Sequence, residues 1–168
     1  MRGPIGGAGA VTPSNADAVA VIVHSLAHAV GALRAAARAN RPITLLSAPE
    51  AGVYAGPGWF RALVEAAREA APDARCSAIL DCGDEPGAAL AAVRAQIEAV
   101  TFTGRADVAL RLADIARQYG VRLITVYPPA AIDLGDDFFA SADAIERRCA
   151  DLLSPGEIEG VRGVGKDE

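Results

Sequence analysis

Lysine is all but absent. The single one, Lys166, lies in a polar stretch near the end of the 168 residues, and arginine supplies nearly all the remaining basic charge. A Schiff-base mechanism needs a desolvated core lysine, so that chemistry has no amine to use. A phosphate-cradling P-loop needs Gly-Lys-Ser/Thr, which is also missing. The three cysteines, Cys76, Cys82 and Cys149, are odd in number and irregularly spaced. They form no disulfide framework and suit a reducing, cytoplasmic setting. No basic stripe appears, which argues against nucleic acid as a partner. No apolar run reaches the roughly 18 to 20 residues needed to span a bilayer. The longest candidate, Ala16 to Leu26, is interrupted by Asp17 and His24. Arg2 is not followed by the apolar core of a secretory leader.

What is present is apolar and rich in alanine. Hydrophobic residues make up 52% of the chain and the net charge is −5. This length and composition suit one domain with a real core. Met1 to Asn15 is glycine-rich, but its glycines do not join a strand to a helix. It reads as a flexible arm rather than a dinucleotide fingerprint. The domain is expected over residues 16–153, with a polar tail over 154–168.

Within the domain, strand and helix patterns alternate. Ala18–Val23 is a strand, followed by a helix ending near Asn40, a residue suited to a left-handed C′ position. Ile43–Leu46 is a second strand. Glu50–Gly58 reads as a glycine-rich connector, and Trp59–Ala71 as a helix. The central stretch runs from Cys76 to Gly104. Cys76–Leu80 is a strand, Asp81–Asp84 a turn ending in a cap, and Pro86 the first turn of a helix. Ala99–Thr103 is the next strand. Asp107 is expected to cap a further helix that ends at Gly120, and Val121–Val126 is a fifth strand. Ala130–Phe139 is irregular and acidic, and Ser141–Leu153 is a final helix.

About five strands alternating with helices imply a parallel α/β sheet. Five are too few to close an eight-stranded barrel. The expected fold is an incomplete barrel, the alternative an open doubly wound sheet. In either case ligands meet the residues just past the strand C-termini.

The order of several motifs resembles class II fructose-bisphosphate aldolases. Leu80-Asp81-Cys82-Gly83-Asp84-Glu85-Pro86 is similar to the family's Leu-Asp-His-Gly run, and Phe102-Thr103-Gly104 to its later Asp-Gly-Ser. Ser47-Ala48-Pro49 and Tyr54-Ala55-Gly56 are similar to its Ser-x-x-Ala-x-x-Tyr-Ala-Gly segment. The resemblance runs over about residues 19–126 and implies the first half of an aldolase-type barrel. It places Asp81 at the family's acid/base aspartate. Cys82 stands where the family has a metal-binding histidine, and Thr103 replaces an aspartate. Arg122–Val126 offers no carboxylate for a later metal ligand, and the phosphate-binding half of the barrel has no counterpart. Gln96 stands where the family has glycine. The resemblance therefore implies the fold without the metal-dependent reaction.

Asp81 is the candidate catalytic residue. Ser25, Ser47, Asp81, Cys82, Thr103, Arg105 and Thr125, all near strand ends, form the candidate ligand-binding set. No cofactor is expected. His24 and His28 have i,i+4 spacing, but only His28 is clearly helical. The one metal arrangement to test is His24 with Cys82 and Asp81, holding a divalent ion. Three functions are compatible with this pattern: a regulatory domain binding a small polar metabolite, a divergent lyase or isomerase using Asp81, and a structural oligomerisation module. An incomplete barrel leaves sheet edges open, so a homodimer is expected.

Overall fold

The computed structural model describes residues 18–129 and 132–154. The expected N-terminal arm and nearly all of the expected tail lie outside these residues. Among the described residues six strands form one wholly parallel sheet in the order β5-β4-β3-β2-β1-β6. The strands are β1 (Val19–Val23), β2 (Ile43–Ser47), β3 (Cys76–Asp81), β4 (Ala99–Thr101), β5 (Arg122–Ile124) and β6 (Ile132–Asp133). The helices are α1 (Leu26–Arg38), α2 (Ala51–Tyr54), α3 (Gly56–Ala70), α4 (Pro86–Arg94), α5 (Ala106–Tyr119) and α6 (Ala142–Leu153).

Alternation along the strands decides which layer each side chain joins. Val21, Val23, Leu45, Ala78, Leu80 and Val100 pack in one core with Phe60 and Leu63 of α3, Val93 of α4, Leu112 of α5 and Ile145 of α6. The opposite face carries Ile22, Leu46, Ile79 and Ala99, joined by Ile124 and Tyr127 and by no helix. Among the described residues the helices therefore cover one face only, in the order α6-α1-α3-α4-α5, matching the strands beneath them. A doubly wound sheet has helices on both faces. One-sided coverage among the described residues departs from a doubly wound sheet and is consistent with a partial aldolase-like barrel.

The sixth strand corrects the expectation of irregular chain over residues 130–139. β6 pairs in parallel with β1, through Val21 with Ile132 and Ile22 with Asp133. The chain thus leaves β5 at one sheet edge and returns at the other. α6 follows and packs on α1, where Gly31 makes close approach possible. A Cβ on Gly31 would lie 2.5 Å from the Ala142 carbonyl oxygen and 2.6 Å from Ile145 Cβ.

Helix ends follow their local chemistry. Ser25 caps α1, its hydroxyl accepting from the His28 N–H at 3.3 Å. Beyond α1, Asn40 adopts φ +49°, as its C′ position predicts. Gly120 ends α5 at φ +70°. Asp107 does not cap α5; Arg105 occupies the cap position and Asp107 the first turn. Glu85, not Asp84, precedes α4. The expected connector over 50–58 is mostly helical, comprising α2 and the start of α3. Gly52 lets α2 press against the end of β3, where a Cβ would meet Cys82 Sγ at 2.5 Å. No helix among the described residues is long and apolar enough to cross a membrane.

Candidate functional site at the strand C-termini

Asp81 ends β3 on the face without helices and is 3% exposed. Its Oδ1 accepts the Gly83 N–H at 2.7 Å and the Thr101 hydroxyl at 3.0 Å. Thr101 stands directly opposite Asp81 in the β3–β4 register, so the bond closes across neighbouring strand ends. The Asp81 N–H donates to Ser47 Oγ at 2.9 Å, and that hydroxyl donates to the Ala48 carbonyl at 3.1 Å. Ser47 therefore extends the β2–β3 ladder with a side chain. These bonds hold the carboxylate in one orientation at the edge of the helix-free face.

On the β1–β6 side, His24 Nε2 and Asp133 Oδ1 are 2.9 Å apart. The same oxygen accepts the Gly135 N–H at 2.9 Å. Both contacts hold the Asp133 carboxyl below the usual carboxylate range, against the effect of its partial burial. The His24 backbone N–H donates to His28 Nδ1 at 3.2 Å. Nδ1 is thus an acceptor, so His28 is neutral and its Nε2–H donates to the Asp137 carbonyl at 3.0 Å. His28 is fully buried. Burial, followed by the neighbouring His24, lowers its pKa, while Asp133 opposes the change.

Tyr127 follows β5 and packs against the helix-free face. Its hydroxyl is enclosed and has no hydrogen-bond partner among the described residues. Burial, then Asp81 and Asp133, push the phenol up to about 12. Tyr54 is also raised, by burial, then Asp81, then Glu50. Asp81 thus acts electrostatically on both tyrosines, one at the end of α2 and one in the loop after β5.

The comparisons with known proteins bear on this geometry through the fold alone. No protein-family model and no curated protein matches the sequence. Among solved structures, one match is a protein from Coccidioides immitis described as a fructose-1,6-biphosphate aldolase, with a TM-score of 0.53 and 20% identity. The match covers 63% of this chain and 40% of that one. The fold is aldolase-like. The chain spans less than half the length of that protein.

Within the aldolase-like fold, the expected site residues separate into groups. Asp81 and Ser47 meet at the ends of β2 and β3, and His24 stands at the end of β1. Cys82 does not join them. Next to Asp81 in sequence, it points to the opposite face and is fully buried in the helix-side core. Burial, then Asp81, push its thiol up to about 12. The thiol packs against α2, where a Cβ on Gly52 would meet its Sγ at 2.5 Å, and faces away from the Asp81 carboxylate. His24, Asp81 and Cys82 therefore form no metal set, and no group of three such residues capable of holding a metal occurs among the described residues. Ser25 is committed to capping α1. Thr103 and Thr125 are exposed. Arg105 is also exposed, and its guanidinium binds Asp107 through two bonds of 3.0 Å.

Sequence reasoning missed Thr101, Tyr127 and Asp133. Thr101 was legible in principle, because residues 99 and 101 share a face once the register of β4 is known. Asp133 lies in a two-residue strand, too short for any periodic signal. Tyr127 reaches the site from a loop.

Proposed function

We propose that this chain is an aldolase-like partial barrel that binds a small, hydroxylated, unphosphorylated metabolite at its strand C-termini and does not carry out metal-dependent aldol cleavage. The observation that carries this reading is the buried Asp81 carboxylate, oriented by Thr101 and Gly83 at the edge of the helix-free face. A fixed carboxylate is a strong acceptor for ligand hydroxyls. The enclosed Tyr127 hydroxyl adds a donor without a protein partner among the described residues.

Charge favours a neutral ligand over a phosphate ester. Asp81, Asp133, Glu50 and Asp84 all belong to strand-end segments, and the nearest expected cation, Arg105, is engaged by Asp107. The burial of Cys82 at the position of the family's metal-binding histidine supports a function other than metal-assisted cleavage. A regulatory, metabolite-sensing role follows from that combination. The three free cysteines support a reducing compartment.

The test is thermal denaturation with neutral polyols and small sugars, each paired with its phosphate ester. A ligand at one hundred times its Kd stabilises the native state by about 2.7 kcal/mol. The neutral compounds are expected to raise the Tm of the wild type. Asp81→Asn retains an oxygen for Gly83 and Thr101, so it should fold normally and lose the shift. A panel with no shift, or a shift only from the phosphate esters, contradicts the proposal.

We also infer a homodimer. Among the described residues β5 and β6 each have one parallel neighbour, which leaves an edge of each strand without a partner there, and Phe138 and Phe139 are 51% and 97% exposed. Native mass spectrometry at micromolar concentration should give twice the chain mass; a monomer overturns the inference.

A further inference from the structure

The turn that follows β6 is fastened through His28. After β6 the chain runs through a single 3-10 turn, Gly135–Asp137, to Phe138. Backbone pairing of this segment to β1 is slight, consisting of the two-residue β6 and a bond from the Leu134 N–H to the Ile22 carbonyl at 3.2 Å. Ile132 and Leu134 are buried in the helix-side core, Asp137 pairs with Arg148 of α6, and further attachments pass through the histidines. His28 Nε2–H holds the Asp137 carbonyl, the Phe138 ring meets the His28 ring edge-on at 6.3 Å, and His24 holds Asp133. α6 is held separately, by the Gly31 crossing and by ion pairs from Arg34 to Asp143 and Arg38 to Glu146. α6 thus has its own hold on α1, and the Arg148–Asp137 pair ties the turn to α6 rather than to β1.

We propose that His28 is an acid-sensitive latch: protonation of its Nδ1 releases the Asp133–Phe138 segment from β1 and opens one side of the strand-end mouth. The neutral ring uses both nitrogens, one as acceptor and one as donor. A proton on Nδ1 would place an N–H against the His24 backbone N–H and bury an uncompensated charge. The charged and titratable groups around this ring come from three elements. His24, from the end of β1, has its ring 6.0 Å away and disfavours a positive charge on His28. Asp133, from β6, favours it. Asp137, from the turn, directs its backbone carbonyl to His28 while its carboxylate pairs with Arg148 of α6. His24 itself does not open the latch, because its Nε2 can donate to Asp133 whether or not the ring is charged.

The folded-state pKa of His28 is lowered. Below an unfolded value of about 6.5, the released form binds more protons than the closed one. The closed form is thus fully favoured above pH 6.5 and weakens as pH falls from there through the lowered pKa.

Amide hydrogen exchange between pH 7.5 and 5, corrected for intrinsic rates, tests the latch on the intact protein. Protection of the Leu134, Asp137 and Ala140 amides should fall at least tenfold, while amides of β2, β3 and α6 keep theirs. Imidazole NMR shifts of His28 should titrate in step with that loss. His28→Asn should make the segment's protection independent of pH. Three results overturn the proposal: protection unchanged at pH 5, protection lost while His28 stays neutral, or simultaneous loss across β2 and β3. The wild-type NMR reading decides the matter even if His28→Asn fails to fold. It is also independent of whether any metabolite binds.

Discussion

The Thr101 hydroxyl donates to Asp81 Oδ1 at 3.0 Å across the β3–β4 seam, with both residues buried. A hydrogen bond to a charged group is worth about 1.5–3 kcal/mol. Thr101→Val keeps the shape and removes the donor. It should lower stability in urea by about that amount and weaken ligand binding. A loss under about 0.5 kcal/mol would mean that Gly83 alone positions the carboxylate.

Gly31 is the contact point of α1 and α6, where a methyl group would fall 2.5 Å from the Ala142 carbonyl oxygen. Backbone cannot yield as a side-chain tip does, so Gly31→Ala must push the helices apart. Overpacking of this kind costs about 1–3 kcal/mol, opposed by the better helix propensity of alanine. Thermal denaturation should show a lower Tm, and an unchanged Tm would place the helices farther apart than described.

Gln96 adopts φ +55°, in the left-handed region. A side chain there costs about 1 kcal/mol relative to glycine. Gln96→Gly should therefore stabilise the protein by up to about 0.6 kcal/mol, after allowance of about 0.4–1 kcal/mol for glycine's greater freedom when unfolded. A destabilised variant in chemical denaturation would show that the Gln96 side chain contributes more than its backbone strain costs.

The Tyr127 phenol is pushed up to about 12 from 10.0 by burial, Asp81 and Asp133. Its folded-state pKa lies above the unfolded one, so its contribution is fully present below pH 10 and is lost as pH rises toward 12. Tyr127→Phe removes this alkaline dependence. Because the hydroxyl has no partner among the described residues, the variant should be at least as stable as the wild type at pH 7. Denaturant midpoints at pH 7, 10 and 11.5 check both statements. A clear loss at pH 7 would reveal a hydrogen bond to the hydroxyl.

Local signals carried much of the fold. The apolar runs at Val19–Val23, Ile43–Leu46 and Cys76–Leu80 are strands, because β-branched and aliphatic residues there must be buried on both faces of a parallel sheet. Asn40 and Gly120 mark helix ends because few residues accept positive φ. The candidate site was less legible. Ser25 has the residue type of a ligand-binding group, but the free N–H groups at the start of α1 claim its hydroxyl. Arg105 has the type of an anion receptor, but Asp107 takes it.

The amino-acid sequence by itself determined the alternation of strands and helices, the parallel α/β class and the placement of Asp81 at a strand end, since periodicity and turn chemistry act over a few neighbouring residues. Only the tertiary structure decided that the described helices share one face, that β6 crosses to pair with β1, and that Cys82 turns inward beside an Asp81 held by Thr101. Those outcomes depend on register and on contacts between residues far apart in the chain. His24 and Asp133 stand 109 positions apart and meet at 2.9 Å, because a two-residue strand finds the one edge of the sheet that β1 leaves open.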